Sequence, residues 1–168
     1  MNKKRLLVIV ALLALMLTAT AVVSAKGKSD LAQVRAATAR FHRTEVAQAN
    51  GWDLRPGLDH CFDNSPNGAM GFHFINLDKL DATVEVLQPE AMVYAPGPKG
   101  QFQLAAVEYI VDAPSWDEDN PGVLPNVLGQ DYHYNSGLDV YVLHAWIWKN
   151  NPTGMFMDWN PNVTCPAI

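Results

Sequence analysis

The chain has 168 residues, of which 49% are apolar, and it carries 12 basic against 17 acidic side chains, a formal net charge of −5. An acidic chain without clustered Lys and Arg lacks the surface that neutralises phosphates, so nucleic acid is excluded as a partner. The apolar content is too high for a disordered chain, and the length suits one compact domain.

The first segment has the layout of a secretory signal peptide. Basic residues at positions 3–5 precede an apolar stretch over residues 6–23, and small residues lead up to a cleavage site after Ala25. An uncleaved anchor is the alternative, although the stretch is at the lower limit for a spanning helix. We therefore expect a signal peptide over residues 1–25 and a single domain over 26–168. The mature protein would be secreted or periplasmic, without stable membrane insertion, and its net charge would be −8, from nine basic and 17 acidic residues.

Two cysteines, Cys61 and Cys165, lie in the predicted domain. An even number of cysteines in an exported chain predicts a disulfide bond. That bond would join the segment after the first helix to the C-terminal tail, and closing a loop of about 100 residues stabilises a fold by roughly 4–5 kcal/mol. A metal site with two thiolates is the alternative, but no Cys-x-x-Cys pair accompanies these residues.

One long helix and then several strands are predicted. An Ala-rich amphipathic pattern predicts a helix over residues 30–49, ended by Asn50 and Gly51. Runs rich in β-branched and aromatic residues predict strands over 70–75, 90–95, 102–112 and 138–149, and a last short one over 155–159. This order indicates an α+β fold in which the N-terminal helix packs on an antiparallel β-sheet, either open or rolled into a half-barrel.

Strand alternation places several polar side chains on apolar faces. The face expected to carry Glu108 also carries Phe102, Leu104, Ala106 and Ile110. The face expected to carry His144 also carries Leu138, Val140, Val142, Trp146 and Trp148. His73 shares its face with Gly71, where open space is expected above the backbone. A carboxylate buried without partners is costly, so Glu108 needs partners.

The candidate partners of Glu108 are His73, His144 and three residues on or beside the apolar stripe of the helix: Arg35, His42 and Glu45. One interpretation is a structural network of buried charges. The other is a pocket between the helix and the sheet, walled by Trp146, Trp148, Phe72 and Phe74. In that pocket His73, His144 and Glu108 could bind one divalent metal ion and leave positions open for a substrate. Glu90 and His133 are further candidates. An acid/base pair of Glu108 with a histidine is the metal-free alternative.

The sequence thus predicts an exported protein that binds a small ligand or a metal ion. The predicted ligand-binding residues are Glu108, His73, His144, Glu90, Arg35, His42, Glu45 and Trp146. Hydrolase or lyase activity at the same site stays open, as does a structural or surface-interaction protein without a site. Gly-x-Ser-x-Gly, Walker and dinucleotide-binding patterns are absent from the sequence.

Four sequence blocks resemble those of an uncharacterised family of small secreted bacterial proteins. They are Gly68-Ala69-Met70-Gly71-Phe72-His73-Phe74, Pro89-Glu90-Ala91 through Tyr94, Val107-Glu108-Tyr109, and the block from His144 to Pro161. The resemblance covers most of the predicted domain. It implies secretion, a shared domain and a common site at the His and Glu positions of these motifs, and it implies no activity.

Overall fold

The computed structural model of the chain describes residues 30–166. It shows an α+β fold with an antiparallel sheet that curls into a half-barrel, as predicted. The predicted signal peptide, residues 1–25, lies outside the described residues. Within residues 30–166, no helix combines the length and the apolar character needed to cross a membrane.

The described part of the chain forms three helices, eight strands and three 3₁₀ turns. The helices are α1 (30–38), α2 (Thr44–Gln48) and α3 (Ala113–Asp119). The strands are β1 (Phe62–Asp63), β2 (Ala69–Ile75), β3 (Ala91–Pro96), β4 (Phe102–Asp112), β5 (Asn126–Val127), β6 (Gln130–Asp131), β7 (His133–Asn135) and β8 (Val140–Ala145). The 3₁₀ turns are Ala39–His42, Leu77–Lys79 and Pro98–Gly100.

Six strands form the main sheet in the order β1-β2-β3-β4-β8-β7, and β5 pairs with β6 separately. The predicted strand over 102–112 is confirmed with the same bounds. The predicted strand over 138–149 is shorter, because the chain leaves the sheet after Ala145 and the backbone N–H groups of Trp148 and Lys149 donate to the Ala105 carbonyl. Residues 155–159 contain a turn and a bend and no strand, so the last predicted strand is wrong.

The predicted single helix over 30–49 is interrupted. A 3₁₀ turn follows α1, and Arg43 has an extended conformation, with φ −97° and ψ 113°, before α2 begins. In a continuous helix the Phe41 carbonyl would accept a bond from the backbone four residues later. Here it accepts a hydrogen bond of 2.6 Å from the Tyr94 hydroxyl of β3 instead. The sheet therefore overrides the local helical pattern.

A β-bulge in β4 divides its side chains differently from the strict alternation that we expected. Val93 pairs with Ala106 and Tyr94 pairs with Leu104, so Ala105 is the extra residue on β4. Leu104 consequently points to the same side of the sheet as Tyr94, and Glu108 points to the other side. The prediction that Phe102 and Leu104 share the face of Glu108 is therefore wrong.

The sheet has two different faces. The helix face packs against Val34, Phe41 and Ala47 of the helical segment, and it carries the large apolar side chains Phe74, Tyr94, Val107, Tyr109 and Leu143. The opposite face, here called the site face, carries His73, Ala91, Glu108, Ile110, Val142 and His144. The site predicted between helix and sheet therefore lies on the side of the sheet away from the helices.

Gly71 on β2 does not leave open space, as was expected from the sequence. A Cβ atom at this position would lie 2.4 Å from the Tyr94 carbonyl oxygen, and Gly71 has φ +102°. Only glycine adopts this conformation without strain. The glycine lets the backbones of β2 and β3 approach closely.

The predicted disulfide between Cys61 and Cys165 is confirmed, with a Cα–Cα distance of 5.6 Å across a sequence separation of 104. Cys61 immediately precedes β1, and Cys165 lies in the tail after the last turn. The bond therefore ties the edge of the sheet to the C-terminal segment.

Replacing both cysteines, Cys61→Ser and Cys165→Ser, should lower the free energy of unfolding by about 5 kcal/mol, because the open loop gains entropy in the unfolded chain. Urea unfolding at pH 7 measures the change. Wild-type protein treated with reductant is the control and should match the double variant. A double variant within about 1 kcal/mol of the oxidised protein would contradict this prediction.

Candidate metal centre

Two imidazoles and one carboxylate meet on the site face. The Nε2 atoms of His73 and His144 lie 3.2 Å apart, and His73 Nε2 lies 3.4 Å from Glu108 Oε2. Glu108 Oε1 lies 3.5 Å from His144 Nδ1. All three side chains are buried, and one ligand atom from each lies within 4.8 Å of the others. The sequence prediction that these three residues come together is confirmed.

Strand register places the cluster. Glu108 on β4 is directly opposite His144 on β8, and such cross-strand neighbours on one face have Cβ atoms about 5 Å apart. His73 lies on β2, one strand further away, with β3 between. Ala91 pairs with Glu108, and its small side chain leaves room for the histidine and the glutamate to meet above β3.

A second carboxylate, Asp158, contacts the outer nitrogen of His144. Its Oδ1 lies 3.2 Å from His144 Nδ1, and its Oδ2 lies 3.2 Å from Nε2 of His133 on β7. Sequence reasoning named His133 as a further candidate and missed Asp158, which lies in a turn without periodicity. The only signal was its position within the aromatic block that follows β8.

Burial governs the protonation of the innermost groups. It lowers the pKa of His73 to about 3, with the neighbouring His144 as a second cause, so that this imidazole is neutral. Burial raises the pKa of Glu108, partly opposed by His144. The Nδ1 atom of His73 has no hydrogen-bond partner among the described residues.

The outer groups form charge-assisted contacts. Burial alone would lower the pKa of His144, but the carboxylates of Glu108 and Asp158 outweigh it and raise this pKa. Burial alone would raise the pKa of Asp158, but hydrogen bonds from His133 and His144 hold it well below its usual range. The hydrogen bond to Asp158 raises the pKa of His133. Asp158 is therefore an ionised carboxylate between two imidazoles.

The cluster opens into a cavity of about 630 Å³. Besides His73, Glu108, His144, Asp158 and His133, its lining residues are Arg55, Pro56, Leu58, Phe62, Met70, Ile75, Leu77, Leu80, Ile110, Asn135, Leu138, Val140, Val142 and Trp159. Most of this wall is apolar. The loop from 55 to 62 and the turn from 158 to 159 line the cavity together with the sheet.

The three helical candidates lie elsewhere, so their predicted pairing with Glu108 is wrong. Arg35 Nε donates to the Ile147 carbonyl at 2.7 Å. The ring of His42 packs against Trp148, with centroids 4.4 Å apart. Glu45 is exposed and pairs with Arg43. The contacts of Arg35 and His42 tie the helical segment to the residues that follow β8, whereas the pair of Glu45 and Arg43 stays within the helical segment.

The four predicted aromatic walls are not part of the cavity. Phe72, Phe74 and Trp148 pack with the core of the helix face. Trp146 stacks on the ring of His144, with an interplanar angle of 15° and centroids 6.2 Å apart, and its Nε1 donates to the Met157 carbonyl. Trp146 therefore packs against the ring of His144 and does not line the cavity.

Glu90 is buried but separate from the cluster and does not line the cavity. Its Oε2 accepts a hydrogen bond of 2.8 Å from the Ile110 backbone N–H. Burial raises the pKa of Glu90 to about 8.

No family model, no curated protein and no solved structure matches this chain. The resemblance to a family of small secreted bacterial proteins therefore stays a prediction, and the function has to be argued from the geometry of the site.

The raised pKa of Glu90 makes stability depend on pH. Between pH 4.5 and about 8 the unfolded chain ionises at this residue while the folded protein keeps its proton. Stability therefore falls as the pH rises through this range. From pH 5 to pH 8, wild type should lose on the order of 3 kcal/mol of unfolding free energy relative to Glu90→Gln, measured by urea unfolding.

The matched control for this measurement is Glu85→Gln, at an exposed position nearby. This variant should follow the wild-type pH profile. Parallel profiles for wild type and Glu90→Gln would refute the assignment to Glu90.

Proposed function

We propose that the protein binds one divalent metal ion through His73, Glu108 and His144. The observation that carries the proposal is the set of separations between the ligand atoms. Two ligand atoms at about 2.0–2.1 Å from one tetrahedral ion lie about 3.3 Å apart. His73 Nε2 is 3.2 Å from His144 Nε2 and 3.4 Å from Glu108 Oε2.

The second contact of His144 supports the same proposal. A histidine that ligates a metal through one nitrogen usually donates its other N–H to a carboxylate, which fixes the tautomer and the ring orientation. Asp158 lies 3.2 Å from Nδ1 of His144, which leaves Nε2 directed toward His73. Asp158 is in turn held by His133.

A metal-free hydrogen-bond network is the alternative interpretation of the cluster. Charge-assisted hydrogen bonds between nitrogen and carboxylate measure about 2.7–2.9 Å. Glu108 instead lies 3.4 Å from His73 Nε2 and 3.5 Å from His144 Nδ1. Both separations are long for a carboxylate whose burial such bonds must offset. The one between Glu108 and His73 Nε2 also suits two atoms that share one ion, whereas Nδ1 of His144 faces Asp158 and is not a proposed ligand atom.

The donor set narrows the class of metal. Two imidazole nitrogens and one carboxylate oxygen are ligands of zinc, iron(II), manganese and copper. Both cysteines are consumed by the disulfide, so no thiolate from the described residues is available to select a softer ion. Three protein ligands leave at least one coordination position open.

Catalysis at the same ion is the second candidate function. The observation that favours it is the cavity beside the cluster, because an open coordination position there would face bound ligand or water. A metal-activated water could then support hydrolase or lyase chemistry.

The proposal also places the protein outside the cytosol. The disulfide supports an oxidising compartment, and the signal-like segment over residues 1–25 supports export to the periplasm or the medium. The proposed function is accordingly that of an exported metal-binding protein.

The metal site is tested by titrating full-length, metal-free protein with zinc, iron(II), manganese and copper in separate calorimetric experiments. Wild type should bind one equivalent of at least one of these ions. His73→Ala and His144→Ala should lose at least about 100-fold in affinity, because each removes one of three ligands. Glu108→Gln keeps the shape of the side chain and should also weaken binding.

His42→Ala is the matched control, because its exposed ring lies on the helix face. This variant should bind like wild type. Circular dichroism of each variant separates loss of a ligand from loss of the fold. The proposal fails if wild type binds none of the four ions, or if the folded His73→Ala and His144→Ala variants bind them as tightly as wild type.

Asp158→Asn should lower the metal affinity about 10- to 100-fold without abolishing binding, because the carboxylate orients His144 rather than ligating the ion. Asp119→Asn, at an exposed position in α3, is the control and should leave the affinity unchanged. The same titration measures both variants. An unchanged affinity in Asp158→Asn would show that the carboxylate has no such role.

A further inference from the structure

We infer that the cavity takes a small amphipathic monocarboxylate, whose carboxylate binds the metal ion and whose hydrocarbon body fills the apolar space. This inference rests on the proposed metal site and adds to it the chemical class of the ligand. It follows from the composition of the cavity wall, the grouping of the polar side chains, the charge balance and the open mouth.

The cavity wall is mainly hydrocarbon. Its aliphatic residues come from the strands and from the loops beside them: Leu58, Ile75, Leu77, Leu80, Ile110, Leu138, Val140 and Val142. A volume of about 630 Å³ lies within the usual range of small-molecule sites, about 300–1,000 Å³. The aliphatic part of the wall binds an apolar body and gives no hydrogen bonds. Outside the cluster and its neighbours Asp158 and His133, the polar side chains that line the cavity are Asn135 and Arg55.

The polar side chains of the wall are concentrated in the cluster. His73, Glu108 and His144 form its core, and Asp158 and His133 adjoin them. Arg55 also lines the cavity, but its guanidinium is engaged by the backbone. Its Nε and Nη2 donate to the Ile75 carbonyl at 3.0 and 2.7 Å. A ligand with one polar head therefore finds its partners at the cluster.

The charge at the proposed metal ion determines which charge the polar head of the ligand should carry. A divalent ion held by the Glu108 carboxylate and two imidazoles keeps one positive charge that its three protein ligands do not balance. Asp158 is already shared between His133 and His144. A charge buried beside an apolar wall is costly unless it is paired. A single carboxylate supplies both the negative charge and an oxygen ligand for the open coordination position.

The mouth of the cavity allows such a ligand to enter. Leu77 and Leu138 line the cavity and are each 53% exposed. Exposed leucines that line an apolar cavity offer an apolar route from solvent into it.

The experiment measures binding of octanoate, acetate and octylammonium to the full chain by calorimetry, with and without the metal ion that binds tightest. Octanoate should bind the metal-loaded protein at least about 100-fold more tightly than acetate, because its chain is removed from water. It should bind the metal-free protein at least about 10-fold more weakly than the loaded protein. Octylammonium should not bind the loaded protein.

Two variants localise the chain of octanoate. Leu80→Trp fills the cavity from a half-buried position outside the strands of the cluster, and it should abolish octanoate binding while metal affinity stays within about threefold. Leu138→Asp acts at the exposed mouth, where the fold tolerates substitution, and should weaken octanoate binding at least about 10-fold. Leu124→Asp is its control, at a position 47% exposed that does not line the cavity, and should bind octanoate like wild type.

The outcomes separate the two proposals. If the metal binds but octanoate binds no better than acetate, the ligand class is wrong and the metal site stands. If octanoate binds the metal-free protein equally well, the proposal that its carboxylate coordinates the metal ion is wrong. Unchanged octanoate binding in both folded cavity variants overturns its location. If no metal binds to wild type, the proposed function fails and this inference fails with it.

Discussion

The carboxylate of Glu108 lies in the middle of a β-sheet and is only 7% exposed, and the burial of this group constrains everything around it. Because so little of this group is exposed, most of its partners come from the sheet itself. His144 stands directly opposite on β8, and His73 reaches it across β3. The small side chain of Ala91 between them keeps this approach free. The helices, which pack on the other face, supply none of the partners. A core of large aromatic side chains on one face and a polar cluster on the other thus share one set of strands.

Part of this arrangement is readable from the sequence because it depends on local alternation. His144 lies among Val140 and Val142 on β8, and the strand from Phe102 to Asp112 is where its β-branched and aromatic residues predict it. The pairing of two cysteines in one chain is likewise a matter of counting. The parts that were predicted wrongly depend on contacts between distant segments. The bulge at Ala105 is a feature of the register between β3 and β4, and no residue type in β4 predicts it. The interruption after α1 arises from the Tyr94 hydroxyl, which lies 53 positions from the carbonyl that it binds.

Asp158 is a second residue whose position local sequence patterns do not predict. It lies in a turn after β8, where neither helical nor strand periodicity assigns a direction to a side chain. The backbone pair between Ala69 and Asn160 and the disulfide to Cys61 hold this turn beside the sheet. A pattern within ten residues contains no information about such anchoring. The wrong placement of Arg35, His42 and Glu45 has a related cause, because a polar residue beside an apolar helical stripe has many ways to find a partner. Arg35 donates to the backbone carbonyl of Ile147 rather than to a carboxylate.

The order of the cluster residues along the chain has a consequence for how much of the chain the cluster needs. His73 and Glu108 are made first, on strands that can pair with each other through β3, but β4 then has a bare edge on its other side. That edge exposes the backbone groups that β8 will later cover. His144 and Asp158 follow Glu108 after a further 35 to 50 residues. Cys165, the partner of Cys61, comes later still. A chain that ends before β8 lacks His144, one of the two imidazoles beside the Glu108 carboxylate. The cluster can therefore close only when β8 and the tail are in place, whichever segments fold first.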